Sequence, residues 1–272
     1  MRSLTDTACL FGSICLGLGP LCLIGVTACW SAAVGPTQHK GQLRVVDSVP
    51  HDTLAFTEGL VFHDGWLFES TGGLEYSAVQ KIDPHTGLVV QRHQLPGEFV
   101  GEGLTVVGSR LIQLTWRSGV AFEYDIETLS LSGMLRYEGE GWGLCYDGRS
   151  LRMTNGSDTL YSRDPVSFQI TARTPVRMLG AGVGQLNEIE CVGDLVYSNV
   201  FRANHILVIQ GKTGEVVRRL AGESLYLAAG IPSAGAPSLN GIAYDPDRNA
   251  FYVTGKLWPR ILRVVEEPGP GS

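Results

Sequence analysis

One strand–turn–strand pattern recurs five times along this chain of 272 residues and limits the folds that the chain can adopt. In each copy an apolar run meets a turn rich in Gly, Asp or Asn, and a second apolar run follows, as a β-hairpin requires. Further strands are predicted after each hairpin. The first apolar residues after the shared motif are Leu60, Leu104, Leu144, Ile189 and Ile242, and they recur every 40 to 53 residues. This spacing is typical of the blades of a β-propeller.

We therefore predict an all-β fold, a five-bladed β-propeller, for residues 41–267. The fifth copy ends after its third strand, and the segment from Gln42 to Pro50 has no other partner. We expect this N-terminal strand to close the last blade and to leave no open sheet edge. The chain has 35 glycines and no sustained helical period, so no second domain is predicted. Residues 268–272 are expected to form a disordered tail.

The net charge of the chain is −6, and its basic residues are scattered. Because neutralising phosphates requires clustered Lys and Arg, we expect no nucleic-acid partner.

The first 40 residues differ from the repeats and are expected to be a leader with a short linker. A long, uncharged and largely apolar stretch follows Arg2, as in a signal peptide or membrane anchor. The stretch ends in VTAC, which resembles a bacterial lipobox and makes Cys29 a candidate for acylation. Ordinary cleavage after Ala32 or Ala33, or an uncleaved anchor, is the alternative. Each interpretation predicts export to the periplasm or the cell exterior, with a lipid or an anchor as the membrane attachment.

Two cysteines, Cys145 and Cys191, lie in the predicted domain, in the first strands of the third and fourth copies. Their offsets from the aligned residue differ by one, so we expect their side chains on opposite faces of their sheets. Export permits a disulfide, but this geometry does not favour one.

Two aligned positions carry residues that packing alone does not require. At the first position, before the first apolar strand, the copies have Glu58, Glu102, Trp142, Asn187 and Asn240. At the second, near the end of the second strand, they have Gly72, Trp116, Gly156, Phe201 and Lys256. Because a hairpin reverses the chain, both positions share one rim. We expect them to converge on one pocket with aromatic walls. His51 and the other histidines show no ligand spacing and are expected in turns or on the surface.

The motifs FTEGL, GEGLT with QLTW, GWGL, LNEIE with SNVF, and TGKLWP resemble those of plant and bacterial glutaminyl-peptide cyclotransferases in order and spacing. The resemblance spans about Val45 to Val265. It implies a five-bladed propeller that converts the N-terminal glutamine of a peptide or protein to pyroglutamate with release of ammonia. It also implies no catalytic metal and no other cofactor. We expect the chain to act as a monomer.

The resemblance implies Glu102 as the catalytic acid and base. The implied substrate-binding residues are Phe56, Glu58, Trp116, Trp142, Asn187, Phe201 and Lys256. Two of these depart from the family pattern: Glu58 stands where the family commonly has Gln, and Phe201 where it has Trp. The aromatic change preserves a wall, whereas Glu58 adds a charge beside Glu102 and leaves the substrate preference open.

Two other functions compete with this one. Glu58, Glu102, Asn187 and Asn240 offer an all-oxygen ligand set, as in calcium-dependent lactonase-like propeller hydrolases. Lys256 in the same pocket would repel a cation. A non-catalytic binding propeller is the other alternative, and loss of Glu102 or of both Trp residues would have favoured it.

Overall fold

The computed structural model describes residues 39–232 and 237–267, and within these ranges the regular secondary structure is β-strand apart from one short helix. The predicted all-β class is therefore confirmed. Most of the predicted leader, including Cys29, and the predicted tail at 268–272 lie outside these ranges. The first strand, β1 (His39–Pro50), begins at the last two residues of the predicted leader. No helix in the described part is long and apolar enough to cross a membrane.

Three of the five repeats each form a separate four-stranded antiparallel sheet whose strands follow one another in chain order. The first sheet contains β2 (Thr57–His63), β3 (Trp66–Thr71), β4 (Ala78–Ile82) and β5 (Val89–Gln94). The second contains β6 (Gly101–Val107), β7 (Arg110–Thr115), β8 (Val120–Asp125) and β9 (Leu131–Arg136). The third contains β10 (Leu144–Tyr146), β11 (Leu151–Met153), β12 (Thr159–Arg163) and β13 (Ile170–Pro175).

Two short strands and one helix lie between the repeats. These are β14 (Arg177–Met178) and β15 (Ala181–Gly182), which pair with each other, and α1 (Glu223–Ala228). The helix and the residues after it account for the longest interval between repeats, which separates the fourth copy from the fifth.

The remaining two repeats join through β1 into one eight-stranded sheet. The fourth contains β16 (Leu186–Val192), β17 (Leu195–Val200), β18 (His205–Gln210) and β19 (Val216–Ala221), and the fifth contains β20 (Leu239–Asp245), β21 (Ala250–Gly255) and β22 (Arg260–Glu267). β1 runs antiparallel to β22, which confirms the predicted pairing of the N-terminal strand with the last repeat. The start of β1 also pairs in parallel with β19, which the repeat pattern did not predict.

The first strands of the five repeats contact one another in a closed cycle, from β2 through β6, β10, β16 and β20 back to β2. They approach so closely that a Cβ atom at Gly143 would lie 2.3 Å from the carbonyl oxygen of Asn187. Glycine occupies this position in every repeat except the fourth, which has Glu188. The buried Glu188 carboxylate accepts the backbone N–H of Leu60 at 3.3 Å and that of Ile242 at 3.0 Å.

Apolar side chains fill the space between neighbouring sheets. One such cluster joins Leu160 of the third sheet to Val196 and Leu207 of the fourth repeat, and Cys145 and Cys191 form a disulfide beside it. Their Cα atoms are 5.5 Å apart. The expectation that this pair is disfavoured was wrong, because it treated the two sheets as coplanar. When sheets stack, the front of one meets the back of the next, so side chains on opposite faces of their own sheets can meet.

His51, which follows β1, is buried in a polar network, so its predicted place on the surface or in a turn was wrong. Its Nε2 lies 3.0 Å from a carboxylate oxygen of the fully buried Glu69, and its Nδ1 lies 2.8 Å from the carbonyl oxygen of Trp258. Glu69 also accepts hydrogen bonds from Thr57 at 2.6 Å and Gln80 at 2.5 Å. Burial lowers the pKa of His51, but the Glu69 carboxylate outweighs it, and the net shift is upward. The network therefore holds a buried ion pair.

Replacing His51 should destabilise the fold. His51→Leu removes the positive partner of Glu69 and leaves a buried carboxylate without a counter-charge, so the free energy of unfolding should fall by about 3–5 kcal/mol. Urea unfolding followed by circular dichroism measures this change. His85→Leu, at an exposed turn, is the matched control and should stay within about 0.5 kcal/mol of the parent. A His51→Leu variant as stable as the control would show that the ion pair contributes nothing to stability.

Candidate active site

A cavity of about 430 Å³ lies at the rim where the first strands begin and the second strands end. All eight residues predicted for the site line it: Phe56, Glu58, Glu102, Trp116, Trp142, Asn187, Phe201 and Lys256. Gly73, Leu74 and Val100, which the repeat alignment did not mark, complete the lining. Asn240, which was also expected in the pocket, does not line it. It lies fully buried behind Glu58 instead.

The hairpin register explains why the two aligned positions converge. Gly101 pairs with Thr115 across β6 and β7, so Trp116, the next residue, is placed close to Glu102. The ladders between the first and second strands shift register at the first aligned position in four repeats, around Glu58, Glu102, Asn187 and Asn240. Such a bulge changes the direction of a side chain and is common beside active sites. It turns these polar groups out of the normal strand alternation.

Two glycines at the second aligned position leave space for larger neighbours. A Cβ atom at Gly156 would lie 2.7 Å from the ring of Trp142, and one at Gly72 would lie 2.8 Å from Cγ of Glu58. In these two repeats, the side chain at the first aligned position fills the space that a side chain at the second position would take. The small residues are therefore a condition for the placement of Trp142 and Glu58.

Glu58 forms a buried ion pair with Lys256 inside the cavity. The Lys256 Nζ lies 2.5 Å from Oε1 of Glu58, and the Asn240 amide donates to Oε2 at 3.2 Å. Burial raises the pKa of Glu58, and the Lys256 ammonium limits the rise. The Lys256 Nζ also lies 4.3 Å from the centre of the Phe56 ring, a cation–π contact. The bond to Glu58 uses one of the three ammonium donors and leaves two for other partners.

Glu102 is the second buried carboxyl group of the cavity. Burial raises its pKa well above the ordinary value, and the charge of Glu58 raises it further, while Lys256 opposes the rise. Two carboxyl groups near one ammonium cannot both be balanced by it, so a proton on Glu102 is favoured. The arrangement places a carboxylic acid that can donate and accept a proton beside a neutralised ion pair.

Aromatic rings form the walls of the cavity. Trp142 and Phe201 meet edge to face, with ring centres 5.7 Å apart. Asn187 also lines the cavity, and its backbone carbonyl accepts a hydrogen bond from the Thr154 hydroxyl at 2.6 Å. The cavity therefore combines an apolar enclosure with few polar groups, as is typical of sites for small organic chains.

Glu140 touches the site but was not predicted. Its Oε2 accepts the indole N–H of Trp116 at 2.8 Å and that of Trp142 at 3.0 Å, while its Oε1 accepts Nε of Arg117 at 2.8 Å. The repeat alignment did not mark Glu140, because the other copies have no carboxyl group at its position, where they carry Phe56, Val100, Gln185 and Ser238. An acidic residue two positions before an aligned Trp was the available signal.

Metal coordination was the alternative use of these polar groups. Within residues 39–232 and 237–267, no group of three or more His, Cys, Asp or Glu side chains is arranged to hold a metal ion. In the cavity, the Lys256 ammonium already lies against Glu58, one of the expected oxygen ligands.

Comparisons with known proteins agree on one family. The sequence model of the family described as glutamine cyclotransferase matches residues 21–265. The chain is 37% identical over 228 residues to glutaminyl-peptide cyclotransferase of Arabidopsis thaliana, covering 82% of this chain and 71% of the relative. It is also similar to the crystal structure of Myxococcus xanthus glutaminyl cyclase, with a TM-score of 0.80 and 34% identity over 86% of this chain and 100% of the other. The chain therefore belongs to the glutamine cyclotransferase family.

Proposed function

We propose that this chain is a glutaminyl-peptide cyclotransferase, which converts the N-terminal glutamine of peptides or proteins to pyroglutamate and releases ammonia. The observation that carries the proposal is the buried carboxyl group of Glu102, with its raised pKa, inside a cavity walled by Trp116 and Trp142. Membership of the family and the names of the two relatives support the same reaction.

We also propose that the scaffold is a five-bladed β-propeller. The closed cycle of contacts between the five first strands supports this arrangement, because it is the geometry of blades around one axis. The antiparallel ladder between β1 and β22 supplies the fifth repeat with its fourth strand. The cavity then lies at one mouth of the central channel, where inner strands of all blades can contribute side chains.

The reaction requires orientation and one proton relay. The α-amino nitrogen of the substrate attacks the side-chain amide carbon, a five-membered ring closes, and the bond from that carbon to the amide nitrogen breaks. In our proposal the protonated Glu102 donates its proton to the departing nitrogen. The resulting carboxylate then accepts a proton from the attacking nitrogen. Glu102 ends as it began, and the enzyme releases neutral ammonia.

The other lining residues hold the substrate and its developing charge. Lys256 has donors left after its bond to Glu58, and Asn187 carries an amide, so both can stabilise the oxygen of the tetrahedral intermediate. Phe56 and the other aromatic walls exclude water and restrict the flexible glutamine side chain to a conformation close to ring closure. These roles match the ones that the resemblance implied.

We propose that the domain is exported, with Cys29 as the candidate site of lipid attachment. The Cys145–Cys191 disulfide supports export, because disulfides persist in oxidising compartments. The mature domain would then act on peptides in the periplasm or outside the cell.

Ammonia release from a short peptide with N-terminal glutamine tests the proposed reaction. The purified domain should release ammonia at the same rate with and without a chelator such as EDTA, since the proposed relay uses only Glu102. The same preparation is offered a lactone in parallel. Lactone hydrolysis that EDTA abolishes and Ca²⁺ restores, with no ammonia from the peptide, would instead identify the metallohydrolase.

Removal of the proposed acid and base should abolish most of the activity. Glu102→Gln keeps the shape of the side chain but cannot relay a proton, so kcat on a Gln-peptide should fall about 10²- to 10⁴-fold. Circular dichroism and the unfolding midpoint should stay close to those of the parent. If Glu102→Gln is as active as the parent while Glu58→Gln is inactive, the roles of the two carboxyl groups are reversed.

The pH–rate profile tests the coupling between the two carboxyl groups. The charge of Glu58 raises the pKa of Glu102. Glu58→Gln removes that charge, so the pKa of Glu102 should fall, and the limb of the profile that belongs to Glu102 should move to lower pH. The variant should otherwise retain activity, since it restores the residue usual in the family. An unchanged profile would contradict electrostatic coupling between these groups.

A further inference from the structure

The two tryptophans that enclose the cavity come from different repeats and share one hydrogen-bond acceptor. Trp116 follows β7 in the second repeat, and Trp142 precedes β10 in the third. Both indole N–H groups donate to the same oxygen, Oε2 of Glu140, at 2.8 Å and 3.0 Å. We propose that Glu140 is a positioning residue, which fixes the two rings as rigid apolar walls of the glutamine pocket. This inference rests on the proposed function.

The backbone around the two rings is already fixed, so the remaining freedom is in the side chains. The backbone N–H of Trp116 donates to Val100 at 3.0 Å, and that of Trp142 donates to Thr154 at 3.0 Å. A Trp side chain on a fixed backbone can still change its χ angles, and each rotation would change the shape of the cavity. A hydrogen bond from the single indole donor selects one orientation. One carboxylate oxygen thus sets the orientation of both rings.

The same bonds determine which part of each ring the substrate meets. An indole has one polar atom, its N–H group, and in both rings this group is directed at Glu140. The parts of Trp116 and Trp142 that line the cavity are therefore hydrocarbon. Such walls can hold the methylene groups of glutamine without competing for its amide oxygen. That oxygen remains for Asn187 and Lys256.

Arg117 keeps the acceptor charged and in place. Its Nε donates to Oε1 of Glu140 at 2.8 Å, and its guanidinium lies 3.7 Å from the centre of the Trp116 ring. Burial raises the pKa of Glu140, but the bonds from Trp142, Arg117 and Trp116 outweigh burial and lower it. A charged acceptor makes stronger hydrogen bonds than a neutral one. Arg117 is mostly exposed, so the ion pair by itself would contribute little.

The test compares Glu140→Ala, Glu140→Gln and Glu138→Ala with the parent on a Gln-peptide. Glu140→Ala frees both rings, so kcat/KM should fall about 10- to 100-fold. We expect a lower kcat as well as a higher KM, because the substrate is no longer held for ring closure. The near-ultraviolet circular dichroism of tryptophan should weaken. Glu140→Gln keeps one acceptor oxygen and should recover most of this loss. Glu138 is exposed and lies in the same segment between β9 and β10, so Glu138→Ala should match the parent.

Arg117→Leu separates positioning from the ion pair. It removes the salt bridge and the guanidinium contact with the Trp116 ring but leaves both indole bonds to Glu140, so its loss of kcat/KM should be much smaller than that of Glu140→Ala. Two results would overturn the inference: Glu140→Ala with kcat/KM within about twofold of the parent, or Arg117→Leu as damaging as Glu140→Ala. If Glu140→Ala does not fold, recovery in Glu140→Gln relative to Glu140→Leu decides the question. A parent without activity would refute the proposed function, whereas the tryptophan dichroism would still report whether Glu140 orders the rings.

Discussion

In the closed cycle of first strands, four repeats have glycine at one aligned position, and the fourth repeat places the side chain of Glu188 there. The aligned glycines let neighbouring strands approach until a Cβ atom would overlap with backbone, as at Gly143. Glu188 then accepts backbone N–H groups from the first and the fifth repeats, so one carboxyl group bridges strands that the chain does not connect directly. Burial raises the pKa of Glu188 well above its ordinary value, which favours its neutral form, and a neutral carboxyl group can still accept both bonds. The positions of the inner strands, and of the cavity at their mouth, depend on this close contact.

Two buried ion pairs lie at the closure between the first and last repeats. β1, which pairs with β22 of the last repeat, leads directly into the first repeat, and both the Glu58–Lys256 and the His51–Glu69 pairs lie at this junction. Asn240 of the fifth repeat adds bonds to the side chain of Glu58 and to the backbone of Thr57, at 3.2 Å and 3.0 Å. A buried ion pair is not by itself strong evidence for stability, but losing one partner is costly, so such pairs disfavour alternative pairings. One of these pairs, Glu58–Lys256, also lines the candidate site, so the contact between the first and last repeats helps to shape the site.

The repeat pattern correctly predicted the all-β class and the residues that share one rim, because hairpin register is a local property. The period of the copies set which residues share a rim, and Glu102, Trp116 and Lys256 line one cavity as that argument required. What the pattern could not show is how sheets and repeats pack against one another. The Cys145–Cys191 disulfide depends on which faces meet, and the burial of His51 depends on contacts with Glu69 and Trp258. Glu140 was missed for a different reason: only the third copy has a carboxyl group at this position, so alignment of the copies does not reveal it.

The charge of the pocket depends on Glu58, one of the two residues that depart from the family pattern. With glutamine at this position, Lys256 would face the cavity without its carboxylate partner, and its positive charge would favour the ionised form of Glu102. With Glu58, the Lys256 Nζ lies 2.5 Å from a carboxylate oxygen of that residue. Less of the ammonium charge is then available to stabilise a negative charge on Glu102. The pKa of Glu102 is therefore higher than in a pocket with glutamine.

A free α-amino group has a pKa of about 7.7–8.0, so near neutral pH the substrate arrives mostly as an ammonium ion. Ring closure needs that nitrogen neutral. The ionised form of Glu102 can accept that proton, and a raised pKa makes the transfer less unfavourable, because the two affinities for the proton are then closer. The transfer leaves a protonated Glu102 and a neutral amine, the state from which the proposed ring closure starts. In the proposed mechanism, Glu58 thus moves the pKa of Glu102 towards the range in which one proton can pass between enzyme and substrate. The same Glu58–Lys256 ion pair also joins the first repeat to the last.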